Sequence, residues 1–314
     1  MNQKDNKIWG CFLHLSFNMW EDFISPHRPF RGFRPHLELS EPLYNEAIDK
    51  MAEEGINLVA IELGDAVEYA SHPEIAVHNA WKPERLLKEV KRIKSLGMEP
   101  VPALNFSAGH DTWMREYSRM VSTDEYYKFC ADIIGELCEI FDKPRFFHLG
   151  LDEETYSHQR YQSHVTIRKN DAWWSDFYIL IGEALKHGAR PWIWPDYMLW
   201  NEPDQFYRKM PGTVIQSNWY YGETFDLNQK HVKAYIDLEE HKFDQIPTGS
   251  FHNNNFKSIG NTVKFCTEHI DDSRLLGFLQ TFWKPTIEEY RELILGGIGL
   301  MGEARRNYYN QAGK

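Results

Sequence analysis

Apolar residues follow two different spacings along the chain. Within residues 83–96, Leu86, Val90 and Ile93 recur every three or four positions, which predicts an amphipathic helix with one buried stripe. Shorter stretches such as Met98–Leu104 are almost continuously apolar, and runs of this length are typical of buried strands. The two kinds of segment alternate along the chain, so the pattern predicts an α/β protein.

A helix, a glycine and a strand follow one another three times. The predicted helices Pro42–Glu54, Pro83–Leu96 and Asp171–His187 each end at a glycine, the residue that most readily adopts the left-handed conformation after a last helical turn. Ser122 and Glu125 have the spacing of a capping box, which predicts that another helix begins there. The chain therefore carries start and stop signals that match its hydrophobic periodicity.

Eight apolar segments are predicted as strands: Trp9–Phe17, Asn57–Leu63, Met98–Leu104, Phe146–Leu151, Pro191–Trp194, Thr213–Asn218, Pro247–His252 and Leu276–Phe282. Helical segments separate them, and strict alternation of strand and helix implies a parallel sheet. Eight such units close most naturally into a barrel, so we predict a (β/α)8 TIM barrel that forms a single domain over residues 1–314. No glycine-rich fingerprint follows the first strand, which disfavours a dinucleotide-binding open sheet.

Charge and composition narrow the class of partner. The chain has 314 residues and a net charge of −11, which disfavours nucleic acid and anionic membranes and favours a neutral ligand. No apolar run is long enough to span a bilayer. The polar segment 1–7 lacks the core of a signal peptide, which predicts a cytoplasmic protein or a secreted one whose leader was removed. The four cysteines lack metal-ligand spacing, so we expect buried, reduced thiols and no metal or cofactor.

Strand four ends in a pair of carboxylates. Its residues alternate so that His148 should point into the barrel and Asp152 should lie at the rim, with Glu153 beginning the loop. In a barrel the active site lies at the carboxyl ends of the strands, and adjacent carboxylates repel, which raises the pKa of one and leaves it able to donate a proton. An acidic, solvated loop is the alternative, because Glu154 extends the run.

This segment resembles a known family. His148-Leu-Gly-Leu-Asp152-Glu153 is similar to the His-x-Gly-Gly-Asp-Glu motif of glycoside hydrolase family 20, the β-N-acetylhexosaminidases. Three later strands agree in order, since each delivers a tryptophan at its end: Trp194 with the acid Asp196 two residues on, Trp219 and Trp283. The likeness covers roughly residues 140 to 285.

The resemblance implies a glycosidase that cleaves a terminal sugar, such as an N-acetylhexosamine. Glu153 would be the general acid that protonates the glycosidic oxygen, and Asp152 would orient and polarise a 2-acetamido group of the substrate, which itself attacks the anomeric carbon. The tryptophans would stack on the sugar ring. The candidate substrate-binding residues are His14, Glu62, His148, Trp194, Asp196, Trp219, Asn253 and Trp283.

The chain also departs from the family pattern. No arginine motif lies on strand one, where His14, Ser16 and Asn18 are expected to point inward, and Lys284 rather than an acid follows Trp283. Another glycoside is therefore an equally supported substrate. Two other hypotheses stay open. One is a non-catalytic carbohydrate-binding barrel, and the other is a divalent-metal sugar isomerase or epimerase with ligands from Glu62, His148 and Asp152. The oligomeric state is not predicted.

Overall fold

The computed structural model of the protein describes residues 7–24 and 31–312, and the polar segment 1–7 lies outside these ranges except for Lys7. All eight predicted strands are confirmed within them; the fifth has the expected length but begins one residue earlier, and the other seven are shorter than expected. They are β1 (Ile8–His14), β2 (Leu58–Glu62), β3 (Glu99–Ala103), β4 (Phe146–His148), β5 (Arg190–Ile193), β6 (Ile215–Gln216), β7 (Thr248–Ser250) and β8 (Gly277–Thr281).

Helices follow the strands as the periodicity predicted. They are α1 (Glu41–Glu53), α2 (Pro83–Ser95), α3 (Asp124–Ile140), α4 (Tyr156–Gln159), α5 (Asp171–Lys186), α6 (Tyr197–Trp200), α7 (Pro203–Lys209), α8 (Lys230–Glu240), α9 (Ser258–His269) and α10 (Arg291–Ala312). Gly97 and Gly188 follow α2 and α5 with φ of 82° and 81°, so they fill the left-handed positions expected of them. No helix within the described ranges combines the length and apolarity needed to cross a bilayer.

The predicted cap of α3 is shifted by one residue. Thr123 rather than Ser122 caps the helix, because its hydroxyl accepts a hydrogen bond from the Tyr126 N–H at 3.3 Å. Ser122 instead donates to Asp176 Oδ2 at 2.6 Å, and that carboxylate belongs to the neighbouring helix α5. A partner distant in the sequence therefore takes the hydroxyl that the local spacing had assigned to the cap.

The strands form one parallel sheet in the order β6-β5-β4-β3-β2-β1-β8-β7. This order confirms an α/β fold with eight strands curled into a single sheet. The regular ladder does not continue from β6 to β7. Two isolated parallel bridges, Gln216–Gln245 and Trp219–Thr248, join the segments beside these strands, so strand pairing alone does not complete the ring. The single-domain organisation stays a prediction.

Two apolar layers lie on the two sides of the sheet. Phe147 and Leu149 belong to the large layer between strands and helices, whereas Phe146 belongs to a smaller inner layer with Phe12 and Trp192. This alternation is the one predicted for strand four. The four cysteines, Cys11, Cys130, Cys138 and Cys266, are buried and free, as expected. Because the inner layer fills the concave side of the curled sheet, ligands have access only at the ends of the strands.

Candidate active site

A cavity of about 510 Å³ opens where the strands end at their carboxyl side. One group of ionisable residues in its lining consists of Asp152 and Glu153 from the loop after β4 together with His110 from the loop after β3. We call these three residues the floor. The remaining lining comes from the loops after β1, β6, β7 and β8, and its residues are Trp20, Arg31, Trp219, Tyr221, His252, Asn253, Trp283 and Lys284.

A tight turn presents the floor carboxylates. Gly150, Leu151 and Glu153 have φ of 67°, 73° and 50°, which is a strained conformation for the two residues that have side chains. Asn105 holds this turn: its Oδ1 accepts from the Leu151 N–H at 3.2 Å, and its Nδ2 donates to Asp152 Oδ1 at 2.7 Å. A Cβ on residue 150 would lie 2.2 Å from Asn105 Oδ1, so the approach requires glycine.

His110 lies between the two carboxylates. Its Nδ1 is 3.3 Å from Asp152 Oδ1 and its Nε2 is 3.6 Å from Glu153 Oε2. Burial alone would lower the pKa of His110, but the charges of Asp152 and Glu153 outweigh it and raise the pKa to about 9. The imidazole is therefore a cation at neutral pH. On its other side Glu153 faces His158, whose Nε2 lies 3.3 Å from Oε1.

The surroundings of Asp152 favour its ionised form. Burial raises its pKa, but His110 and the hydrogen bond from Asn105 more than offset this, and the pKa of Asp152 ends below its usual value. The repulsion instead acts on Asp196. Burial, Asp152 and Glu153 together raise the pKa of that carboxyl well above its usual value. Asp196 therefore holds a proton and Asp152 is ionised. Burial and the charge of Asp152 also raise the pKa of the buried Glu62 well above its usual value, so Glu62 is protonated too.

Asp196 does not line the cavity but joins its two sides. Its Oδ1 accepts from the Glu153 N–H at 3.3 Å, and its Oδ2 accepts from Trp219 Nε1 at 2.9 Å. Asp196, which is only 1% exposed, thus connects the floor with the aromatic side of the cavity. Both carboxyl oxygens of Asp196 are engaged in these two contacts. Asp196 therefore orients Glu153 and Trp219, which face the ligand, but does not face the ligand itself.

Three aromatic rings form the side of the cavity, and we call them the aromatic wall. Trp219 and Tyr221 stack with centroids 5.0 Å apart and planes 25° apart. The Tyr221 hydroxyl accepts from Trp283 Nε1 at 2.9 Å, and Trp283 itself has a φ of 47° at the end of β8. The indole N–H groups of both tryptophans are therefore paired, which leaves their ring faces as the apolar surface of the wall.

Four predicted residues lie beneath the cavity rather than in it. His14, Glu62, His148 and Trp194 are all buried, and none belongs to the cavity lining. The ring centroids of His14 and Trp194 are 5.5 and 5.9 Å from that of Trp283, so the two rings support the wall from below. Burial lowers the pKa of both histidines to about 3, so both are neutral. A direct role in sugar binding stays a prediction for these four residues.

The sequence analysis missed His110, Asn105 and Tyr221. Asn105 and His110 follow β3 closely, within the polar stretch Asn105-Phe-Ser-Ala-Gly-His110. Polar residues directly after strand three are the same kind of signal as the acids after strand four, so these two residues could have been found. Tyr221 lies two residues after Trp219, but nothing in the sequence indicates that its hydroxyl pairs with a tryptophan from β8.

The floor is also the group of described residues that could hold a metal ion. One ligand atom from each of His110, Asp152 and Glu153 lies within 4.8 Å of the others. The metal ligands predicted for an isomerase, Glu62, His148 and Asp152, do not form such a group among the described residues. His148 instead packs against Trp192 and Trp194. A protonated imidazole has no lone pair to give, so a metal ion bound by the floor would have to displace the proton of His110.

The fold is similar to that of solved family 20 enzymes. A GH20 β-N-acetylhexosaminidase from Streptomyces coelicolor A3(2) matches 94% of this chain with a TM-score of 0.64 and 13% identity, over 64% of its own length. A β-N-acetylhexosaminidase from Bacteroides fragilis matches 93% with a TM-score of 0.63 and 13% identity, over 65% of its length. A GH20 exo-β-N-acetylglucosaminidase from Vibrio harveyi matches 95% with a TM-score of 0.64 and 13% identity, over 54%.

These matches confirm the resemblance to family 20 as a distant one, at the level of the fold. The chain spans less than two thirds of the length of these three proteins. No protein-family model matches the sequence, and no curated protein sequence matches it.

Proposed function

We propose that the protein is a glycoside hydrolase that removes a terminal sugar, built on a (β/α)8 barrel. The observation that carries the proposal is the floor. An ionised Asp152 and the adjacent Glu153 flank a cationic His110 at the bottom of a cavity with an aromatic wall. Carboxylates paired with stacked aromatics are the chemistry that cleavage of a glycosidic bond requires. The fold shared with hexosaminidases supports the same class.

Glu153 is the group placed to donate a proton. Its side chain is 28% exposed and lines the cavity, so it can reach a glycosidic oxygen. In the proposed reaction, Glu153 first takes up a proton from solvent and passes it to that oxygen, and the bond from the oxygen to the anomeric carbon breaks. His110 and His158 hold the two carboxyl oxygens in position.

Asp152 takes the orienting role. Asn105 and His110 fix its carboxylate, whose negative charge can polarise an N–H group of the substrate. If the sugar carries a 2-acetamido group, the acetamido oxygen attacks the anomeric carbon as the leaving group departs. A water molecule that gives a proton to Glu153 then attacks the same carbon and releases the acetamido group, so no protein nucleophile is needed. N-acetylhexosamine is therefore the first sugar to test. The aromatic wall would stack on the apolar face of the ring.

The test is release of a chromophore from aryl glycosides. The panel contains the N-acetylglucosaminide, glucoside, galactoside and glucuronide in both anomers, and each is measured with the wild type, Glu153→Gln and the control Glu116→Gln. Glu116 is an exposed acid outside the cavity. We expect hydrolysis of at least one glycoside and a loss of about a hundredfold or more in Glu153→Gln, the scale of losing a general acid. Glu116→Gln should retain the wild-type rate.

Other outcomes point to the alternatives. Wild-type rates in Glu153→Gln would remove Glu153 from the mechanism. Sugar binding without turnover of any glycoside would favour the non-catalytic barrel. Conversion of a free sugar that stops on addition of a chelator would favour the isomerase.

A further inference from the structure

Two cations line the candidate active-site cavity of an acidic protein. Arg31 lies in the segment after β1, and Lys284 follows Trp283 after β8. The strands β1 and β8 are paired neighbours in the sheet, so both side chains belong to the same side of the cavity. The chain as a whole carries a charge of −11. The two positive charges on this side of the cavity therefore contrast with the net negative charge of the protein.

The two cations are close enough to act on each other. Burial lowers the pKa of Lys284, and the charge of Arg31 lowers it further, while Glu289 acts in the opposite direction. Both cations also act on His252, which lines the same cavity and whose pKa burial and these two charges lower to about 4. His252 is therefore neutral at neutral pH. Two like charges in one cavity repel each other, and a bound anion would be attracted to both.

The position of Lys284 separates it from the proposed chemistry. Asp152 and Glu153 follow β4, and three strands lie between β4 and β8 in the sheet order. His110 already balances part of the charge of the two carboxylates. Lys284 thus faces a part of the sugar that is away from the glycosidic bond, whereas Arg31 lies nearer the floor, since its charge lowers the pKa of His110. The guanidinium of Arg31 lies over the Trp20 ring, 5.4 Å from its centroid, where the ring restricts its position.

We propose that the sugar bound in this cavity carries an anionic substituent, a carboxylate or a sulfate ester, that is held by Arg31 and Lys284. The inference rests on the proposed function and names its substrate class. A planar guanidinium binds the two oxygens of either group with two parallel hydrogen bonds, and a lysine ammonium adds a point charge. Neutral hexosides would lack this contact and bind more weakly.

The test compares matched neutral and anionic sugars by titration calorimetry, with Glu153→Gln as the background so that nothing is hydrolysed. One pair is N-acetylglucosamine and its 6-sulfate, and the other is glucose and glucuronate. We expect the anionic member of one pair to bind about tenfold more tightly at low salt, the scale of one charge-assisted contact. Tighter binding of the anionic member in the first pair indicates a sulfate, and tighter binding in the second pair indicates a carboxylate. The preference should decrease as salt is added.

Charge-removing variants assign the preference to the two cations. Adding Arg31→Gln or Lys284→Gln should bring the ratio of the two affinities towards one. Adding Lys128→Gln, which removes a charge from an exposed side chain of α3, should leave the ratio unchanged. Equal or tighter binding of the neutral member in both pairs overturns the inference, as does a preference that survives removal of both cations. Absence of binding by both anionic sugars overturns it too.

Failure of this inference and failure of the proposed function give different results. If wild type hydrolyses a neutral glycoside and calorimetry shows no anionic preference, the proposed function stands and the substrate class is wrong. If the anionic preference is present in calorimetry but no aryl glycoside is cleaved, the ligand class stands and the hydrolase is wrong.

Discussion

The floor and the aromatic wall face the same cavity but are held by different forces. The floor depends on charge, since His110 lies within 3.6 Å of both carboxylates and Asn105 donates to one of them. The wall depends on ring packing, with Trp219 stacked on Tyr221 and with Trp283 above His14 and Trp194. The floor should therefore respond to pH and to loss of a single charge, whereas the wall should respond mainly to loss of apolar area.

The difference shows in the surroundings of each region. Behind the wall is the aromatic inner layer, where neutral histidines pack among rings. Behind the floor is a buried ion network. Arg168, only 4% exposed, contacts Glu154 Oε1 at 2.7 Å and Asp176 Oδ2 at 3.0 Å, and it donates to the carbonyl oxygen of Phe106 at 3.1 Å. This network joins the loops after β3 and β4, the two loops that supply the floor.

The largest expected effect is on this network. Arg168→Met should lower the free energy of unfolding by about 3–5 kcal/mol, because it leaves Glu154 and Asp176 as buried charges without their cation. Urea unfolding followed by circular dichroism measures the change. The control is Arg145→Met. Arg145 is 60% exposed and pairs with Glu99 at the surface, so that change should cost less than about 1 kcal/mol. Equal losses in the two variants would show that the network does not stabilise the floor.

The second largest expected effect is a pH dependence of the free energy of unfolding, which arises from His110 in the floor. The pKa of His110 is raised from 6.5 to about 9 in the folded state, so folded protein binds more protons than unfolded protein between these values. Its contribution is fully present below pH 6.5 and is lost as pH rises towards 9. The free energy of unfolding should therefore fall across this window by an amount on the order of 3 kcal/mol.

His110→Gln tests that assignment. Urea unfolding at several pH values between 6.5 and 9 should give a flatter dependence in His110→Gln than in wild type. His269→Gln changes an exposed histidine of α9 and should keep the wild-type slope. An unchanged slope in His110→Gln would mean that another group titrates in this window, and the cationic His110 at the centre of the floor would be refuted.

The smallest expected effect is on the wall. Trp283→Ala should weaken binding of the cognate sugar by about 1–3 kcal/mol, the scale of losing one aromatic contact in a binding site. The change should not depend on pH between about 6 and 8, in contrast to changes in the floor. Titration calorimetry measures the affinity, and Trp200→Ala serves as the control, because Trp200 is 43% exposed and outside the cavity lining. If Trp283→Ala binds the sugar as wild type does, the residue has only a structural role.

Local patterns predicted the fold more completely than the candidate site. Apolar runs predicted the positions of the strands, and Gly97 and Gly188 predicted where two helices end. These signals are readable from the sequence because they act between residues a few positions apart. Alternation along strand four also predicted correctly that His148 lies inside the ring. However, alternation predicts only which side of the sheet a residue faces. It does not predict how close the residue lies to the carboxyl ends of the strands, where the cavity opens. His14 and His148 are inside, but Trp283 and Trp194 pack above or beside them and separate them from the cavity.

The sequence by itself determined the eight alternating strands and helices and the position of Asp152 and Glu153 at the carboxyl ends of the strands. Hydrophobic periodicity and helix-end signals, which act between near neighbours in the chain, were sufficient to predict these features. Only the tertiary structure decided the charge states. It brought His110 and Asn105 from another loop against Asp152, which lowers the pKa of that carboxyl, and it buried Asp196 beside two acids, which raises its pKa. Burial and long-range Coulomb interactions set these values, and neither can be derived from residue spacing.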